Sequence, residues 1–123
     1  MNDLGKLPCE ACRADAPALD EQAISALHAQ LPCWSLVTRD GVRQLERGFA
    51  FADFKAALAF AKAIGELAEE ENHHPALRVE WGKVRVNWWT HKIHDVHRND
   101  FILAARCDEA FARLGGPSPA PSP

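Results

Sequence analysis

Two tight-turn signals, each set inside a run of alternating side chains, restrict the fold of this chain more than anything else in it. Asp40-Gly41 is the first. Both central residues of a two-residue type I′ turn need positive φ, and Asp-Gly tolerates this well. Trp34, Leu36 and Thr38 share one parity before the turn. Val42 to Ala50 returns after it, with Arg43, Leu45, Arg47 and Phe49 on one parity. Gly82-Lys83 is the second signal, a turn that begins with glycine. Leu77, Val79 and Trp81 alternate before it and Val84, Val86 and Trp88 after it. Arg85, Asn87, Trp89 and His91 fall on the other parity. With Gly82-Lys83 as the turn, 81 pairs with 84, 79 with 86 and 77 with 88. Extending that register sets 75 near 90 and brings His91 out beside His73-His74-Pro75.

Three helical stretches surround these hairpins. Leu19, Ala23, Ile24, Leu27 and Leu31 recur at helical spacing over about 19–31, with Asp20 and Glu21 in the first turn and Pro32 as the stop. Asp53 reads as the N-cap of a helix of about 53–70. Its apolar stripe is Phe54, Ala57, Leu58, Ala61, Ile64, Gly65 and Ala68, widened by Phe60 and Leu67. The small residues predict close packing on a sheet. Glu69, Glu70 and Glu71 crowd its C-terminal end, the wrong sign for the helix dipole. A last helix of about 98–114 carries Leu103, Ala104, Cys107, Ala110, Phe111 and Leu114, and Gly115-Gly116 ends it. The order αββαββα predicts an α+β fold: a four-stranded antiparallel sheet with three helices packed on one face. Residues 1–18, broken by Pro8 and Pro17, read as an N-terminal arm. Residues 19–114 form the domain, and the Pro- and Ser-rich 115–123 is expected to be a disordered tail.

Composition narrows the function. The chain has 123 residues, 47% hydrophobic and 25% charged, with Lys plus Arg 14 against Asp plus Glu 17 and a net charge of −3. That suits one globular domain. It excludes a polybasic tail for nucleic acid or membrane, and no apolar stretch approaches the roughly 20 residues of a membrane span. The first residues lack the basic and apolar regions of a signal peptide, which places the expectation in the cytoplasm. Cys9 and Cys12 form a CxxC pair, but Cys33 and Cys107 stand alone. A zinc ribbon needs a second close pair, and a thioredoxin-like motif needs a βαβ setting. The leading reading of the pair is two reduced thiols in the arm, and a metal or redox role for Cys9 and Cys12 is the alternative.

The chemistry-bearing residues are histidines. Of six, five lie between 73 and 97. His73 and His74 sit at a helix-to-strand junction, and His91 sits just past the hairpin that follows. Imidazole titrates near neutrality, so such a cluster suits proton transfer. Zinc is the competing reading. Adjacent His side chains diverge on most backbones, and no HxH or HExxH spacing is present. His94 and His97, in the loop 92–98, are expected to face solvent.

The run Glu69-Glu70-Glu71-Asn72-His73-His74-Pro75, Trp81 six residues after the proline, Trp89-Thr90-His91, and Asp100 nine residues after that histidine resemble the signature of the pterin-4a-carbinolamine dehydratases. Trp34, Asp40-Gly41, Leu45-Glu46-Arg47 and Phe49 to Phe54 add to the likeness, which covers about 19–113. The Cys9-Glu10-Ala11-Cys12 arm and Arg98-Asn99-Asp100-Phe101 look like the bacterial branch that accompanies phenylalanine hydroxylase. The resemblance implies a dehydratase that removes water from 4a-hydroxytetrahydropterin and recycles the tetrahydrobiopterin of aromatic amino-acid hydroxylases. It implies no metal, redox cofactor or covalent nucleophile. It assigns His73 and His91 as an acid/base pair and His74 to binding and orienting the pterin. Asp100 would orient a histidine, Glu69 would polarise the site, and Trp89 joins the substrate-orienting residues. It further implies a homodimer or homotetramer with paired edge strands and bundled helices. The alternative is a non-catalytic regulatory or dimerisation module for a hydroxylase or a transcription factor.

Two positions depart from the family pattern. Asp95-Val96 stands where a Gly-Leu pair is usual, so the loop is expected to need positive φ at Asp95. His97 stands where Ser or Thr usually caps the last helix of an S/T-x-x-D box, which predicts a weaker or differently made cap.

Overall fold

The computed structural model describes residues 4–6 and 19–114. The remaining parts of the arm and tail expected from the sequence, Cys9 and Cys12 among them, lie outside the described residues. A single 3-10 turn, Leu4–Lys6, precedes α1 (Glu21–His28), β1 (Ser35–Arg39), β2 (Val42–Ala50), α2 (Phe54–Glu71), β3 (Ala76–Glu80) and β4 (Lys83–Trp88). A second 3-10 turn, His91–Ile93, leads into α3 (Arg98–Arg113). The αββαββα order is as expected. All neighbouring strands are antiparallel and lie in the order β1-β2-β4-β3.

One parity of each strand faces the helices. Leu45, Phe49, Val84, Val86 and Trp88 are buried there against Phe60 and Ile64 of α2 and Phe101 and Leu103 of α3. Burying such side chains supplies about 1.5–3 kcal/mol each. Alternation with period two is what lets one sheet face water on its other side. That outer face carries a polar network instead: Asn87 donates to Gln44 and Glu46, and Arg39 donates to Glu46.

Asp40 and Gly41 both have positive φ, 54° and 78°, and Arg39 pairs with Val42. The second hairpin differs from the sequence expectation. Glu80 pairs with Lys83, Val79 with Val84 and Leu77 with Val86, so the turn residues are Trp81 and Gly82. Gly82 is fixed at φ 76°, and its carbonyl accepts the Phe51 N–H at 2.8 Å. Trp81 is thereby moved out of the strand into the turn and is 72% exposed. The slip is two residues, so every side chain keeps its face. The register at the far end changes: continued past Ala76–Asn87, it sets 73, not 75, opposite 90.

The helices are trimmed or rotated slightly. α1 is shorter than 19–31, with Leu31 buried in the turns that follow. In α2 the buried stripe is Ala57, Phe60, Ala61, Ile64 and Ala68, while Phe54 and Leu58 are exposed. The sequence stripe was wider than one sheet face can cover. Asp53 caps α2, accepting the Ala56 N–H at 2.8 Å.

Candidate active site

α2 ends where Asn72 enters the left-handed region at φ 51°. Asn adopts this conformation more readily than most residues, which makes it a workable C-cap. The chain reverses there, and the His73 N–H bonds back to the Ala68 carbonyl at 3.1 Å. His73 turns inward and is 4% exposed. Its Nε2 lies 2.6 Å from Asp100 Oδ1. Asp100, in the first turn of α3, is 0% exposed. Its Oδ2 accepts the Thr90 hydroxyl at 2.7 Å and the His97 N–H at 2.7 Å.

One buried carboxylate thus ties together the α2–β3 junction, the segment after β4 and the start of α3. A carboxylate offering acceptors to all its neighbours requires a donor from His73, which sets that ring as the Nε2–H tautomer. In the neutral ring Nδ1 then carries the lone pair. It has no hydrogen-bond partner among the described residues. A buried polar atom without a partner is uncommon in a folded protein. The ring is held from the side by Trp88, stacked at 5.8 Å between centroids and 26°. Trp88 is itself pinned by its indole N–H to Cys107 Sγ at 3.3 Å. Burial pushes the Cys107 thiol far above its ordinary range, so this sulfur is a packing group and not a nucleophile.

His91 opens the 3-10 turn directly after Thr90 and is exposed. His91 directly follows Thr90, which bonds the same carboxylate as His73. The Trp89 ring lies 4.6 Å from the His91 ring. His74 points outward, and its Nε2 bonds Glu69 Oε2 at 2.7 Å. Glu69 therefore reaches His74 and not His73. Both side chains of this pair are more than half exposed.

Two expectations are corrected. His97 does not face solvent: it is 3% exposed and caps α3. Its Nδ1 accepts the Asn99 N–H at 3.1 Å while Asp100 accepts the His97 N–H, a reciprocal capping box with imidazole in the hydroxyl's place. The positive φ of the loop falls on His94, at 54°, and not on Asp95. The 3-10 turn needs a left-handed exit, and the His94 N–H bonds the His91 carbonyl at 3.3 Å. His94 is exposed, as expected. Thr90, Trp88 and His97 are the supporting residues that sequence reasoning missed. Thr90 carried a signal, since it stands inside the Trp89-Thr90-His91 motif, and His97 carried one in its place at the cap position of the last helix.

Among the described residues, no three His, Cys, Asp or Glu side chains converge as a metal-binding set. A groove of about 440 Å³ runs between α2 and α3, lined in part by Glu66, Glu70, Arg106 and Arg113, and contains none of His73, His74, His91, Asp100, Glu69 or Trp89.

Residues 17–110 match the family model described as Pterin 4 alpha carbinolamine dehydratase. The chain belongs to that family. His73, His74, His91, Asp100 and Glu69 all lie inside the matched span. Two solved structures of pterin dehydratase relatives are similar. A transcriptional coactivator/pterin dehydratase from Brucella melitensis is 26% identical, with a TM-score of 0.69 over 76% of this chain and 98% of the other. A pterin dehydratase-like protein, described as a RuBisCO assembly factor in the alpha-carboxysome, is 25% identical. Its TM-score is 0.51 over 68% of this chain and 93% of the other. The descriptions of these two proteins name different kinds of work.

Proposed function

We propose that this chain dehydrates 4a-hydroxytetrahydropterin to the quinonoid dihydropterin by general acid–base catalysis. The observation that carries the reading is His73: buried, held with Nε2–H toward Asp100, and with no partner for Nδ1 among the described residues. The reaction needs two proton movements. An acid protonates the C4a hydroxyl as the C4a–O bond breaks and water leaves. The N5 lone pair forms the C4a=N5 bond, and a base takes the N5 proton. Atoms and charge balance without an oxidant, metal or covalent intermediate.

His73 suits the base, because Asp100 holds its other nitrogen as the N–H and leaves Nδ1 to accept. The same division of labour orients the imidazole of a Ser-His-Asp triad. His91 suits the acid, on an exposed turn directly after Thr90. His74, held by Glu69, binds and orients the pterin, with Trp89 as an aromatic wall. The substrate links the chain functionally to an aromatic amino-acid hydroxylase such as phenylalanine hydroxylase, in the cytoplasm. We assign the active form to a homodimer or homotetramer. Among the described residues β1 and β3 are the sheet's edge strands, and Phe54 and Leu58 are exposed one turn apart on α2.

The second reading is a non-catalytic regulatory or dimerisation module for a hydroxylase or transcription factor, in line with the two relatives described as a coactivator and as an assembly factor. A scaffold has no use for an oriented, buried imidazole nitrogen without a partner among the described residues. The test is to generate the carbinolamine with a hydroxylase and follow its dehydration with and without this protein. Acceleration over the spontaneous rate supports the enzyme, and none supports the module.

A further inference from the structure

Asp95, which stands where the family pattern has glycine, makes contacts that glycine cannot. Its Oδ1 accepts the Arg43 Nε–H at 2.9 Å and its Oδ2 accepts Arg43 Nη2 at 3.0 Å. This two-point fork is the strongest geometry open to an Arg–carboxylate pair. Oδ1 also accepts the Val96 N–H at 2.7 Å. Arg43 is steadied from behind, with Nη1 donating to Glu21 of α1 at 2.8 Å. The result is a charge on the helix-facing parity of β2 that is matched on both sides.

The placement of this pair gives it a role. The Thr90 N–H donates to the Asp95 carbonyl at 2.9 Å, so Thr90 and Asp95 are the two feet of one closed loop. Between them stand only His91 to His94. The Thr90 foot is tied to Asp100, the residue that orients His73. The Asp95 foot is tied to the sheet through Arg43. Other contacts also hold the loop: the backbone bond across its base, the Thr90–Asp100 bond, the Ile93 and His94 N–H bonds back to the Thr90 and His91 carbonyls, the Trp89–His91 ring contact and buried Val96. The Arg43 tie is the one that joins the Asp95 side chain to β2.

We infer that Arg43 and Asp95 are positioning residues that latch the His91 loop to β2 and so fix the His91 imidazole relative to His73. The inference rests on the dehydratase reading for its kinetic consequence, but the latch has a readout of its own. Side-chain exposures of 27% and 30% place the pair near the surface, where even a forked ion pair adds only modestly to stability. Misplacing a reacting group by about 1 Å costs roughly a hundredfold in rate. The latch therefore weighs more on catalysis than on folding.

The test compares wild type, Asp95→Asn, Arg43→Lys, His91→Ala and Asp95→Asn/His91→Ala in the hydroxylase-coupled dehydration. Hydrogen exchange of the Thr90 amide is followed in the first two. Asp95→Asn should lower kcat by roughly tenfold to a hundredfold with little change in KM, and Thr90 should exchange several-fold faster. Arg43→Lys, which keeps the charge but loses the fork, should fall between. In the His91→Ala background, Asp95→Asn should add no further loss. An unchanged Thr90 exchange rate overturns the latch. So does an Asp95→Asn loss of equal size in the His91→Ala background, because then the effect does not pass through His91. A wild type without activity sinks the dehydratase reading, and the latch is then judged by exchange alone.

Discussion

At the scale of residues, Asp100 has the most to lose. It accepts from three donors on three segments with no exposed surface. Asp100→Ala leaves His73, Thr90 and the His97 N–H without their acceptor, at about 1–3 kcal/mol for each buried group left unmade. Urea denaturation should show a loss on the order of 3 kcal/mol or more. Asp100→Asn is the sharper probe. An amide facing Nε2 can donate, which pushes the hydrogen of His73 onto Nδ1 and removes the base. We expect kcat to fall by roughly 10²–10⁴. A variant that loses stability but keeps the wild-type kcat in its folded fraction contradicts that role. His73, His91 and Asp100 were legible in the sequence because their spacing is a family pattern. The burial of His97 was not. An imidazole that caps a helix and one that faces water look alike in sequence, and here the cap converts a solvent-type residue into a buried one.

At the scale of elements, the hairpins show what alternation can and cannot fix. Alternation assigns faces, and a slip of two residues leaves every face unchanged. The sequence pattern therefore could not separate a Gly82-Lys83 turn from the observed Trp81-Gly82 turn. What decides it is Gly82, whose carbonyl holds the Phe51 N–H and where a Cβ would lie 3.2 Å from the Phe51 carbonyl oxygen. Both Gly41 and Gly82 have positive φ, but a Cβ on Gly41 would meet nothing within 4 Å. Gly41→Ala should therefore cost about 1 kcal/mol from conformation alone, and Gly82→Ala should cost more. Equal losses by thermal or urea unfolding would argue against the tight approach at Phe51. The cap of α3 gives a second check at this scale. His97→Ala removes the acceptor for the Asn99 N–H and should cost about 1 kcal/mol, in the usual range for an N-cap.

At the scale of the whole molecule, three carboxylates shape the acid limb of stability with opposite signs. The hydrogen bonds from Arg43 hold Asp95 below its ordinary value against the pull of burial. For Glu46, burial acts upward, but bonds from Asn87 and Arg39 outweigh it and the net shift is also down. Both contribute stability that is fully present above the ordinary carboxylate values and is lost as pH falls through their lower folded values. Asp108 is the reverse. Burial raises it in spite of bonds from Trp34 and Arg47. Its ionised form is the costly one, and that cost is relieved as pH falls through its raised folded value. Denaturation followed from neutral pH into acid should thus show a flatter loss in Asp95→Asn and a steeper one in Asp108→Asn than in wild type. The αββαββα architecture was legible from turns and stripes alone, whereas this charge pattern was not, since pairing depends on which strands and loops become neighbours. The account as a whole stands on one measurement. The carbinolamine is generated by a hydroxylase, and its dehydration is timed with wild type, His73→Ala and His91→Ala. The prediction is acceleration by wild type and a loss of roughly 10²–10⁴ in each variant. A wild type no faster than the spontaneous reaction, or variants that keep its full rate, would contradict it.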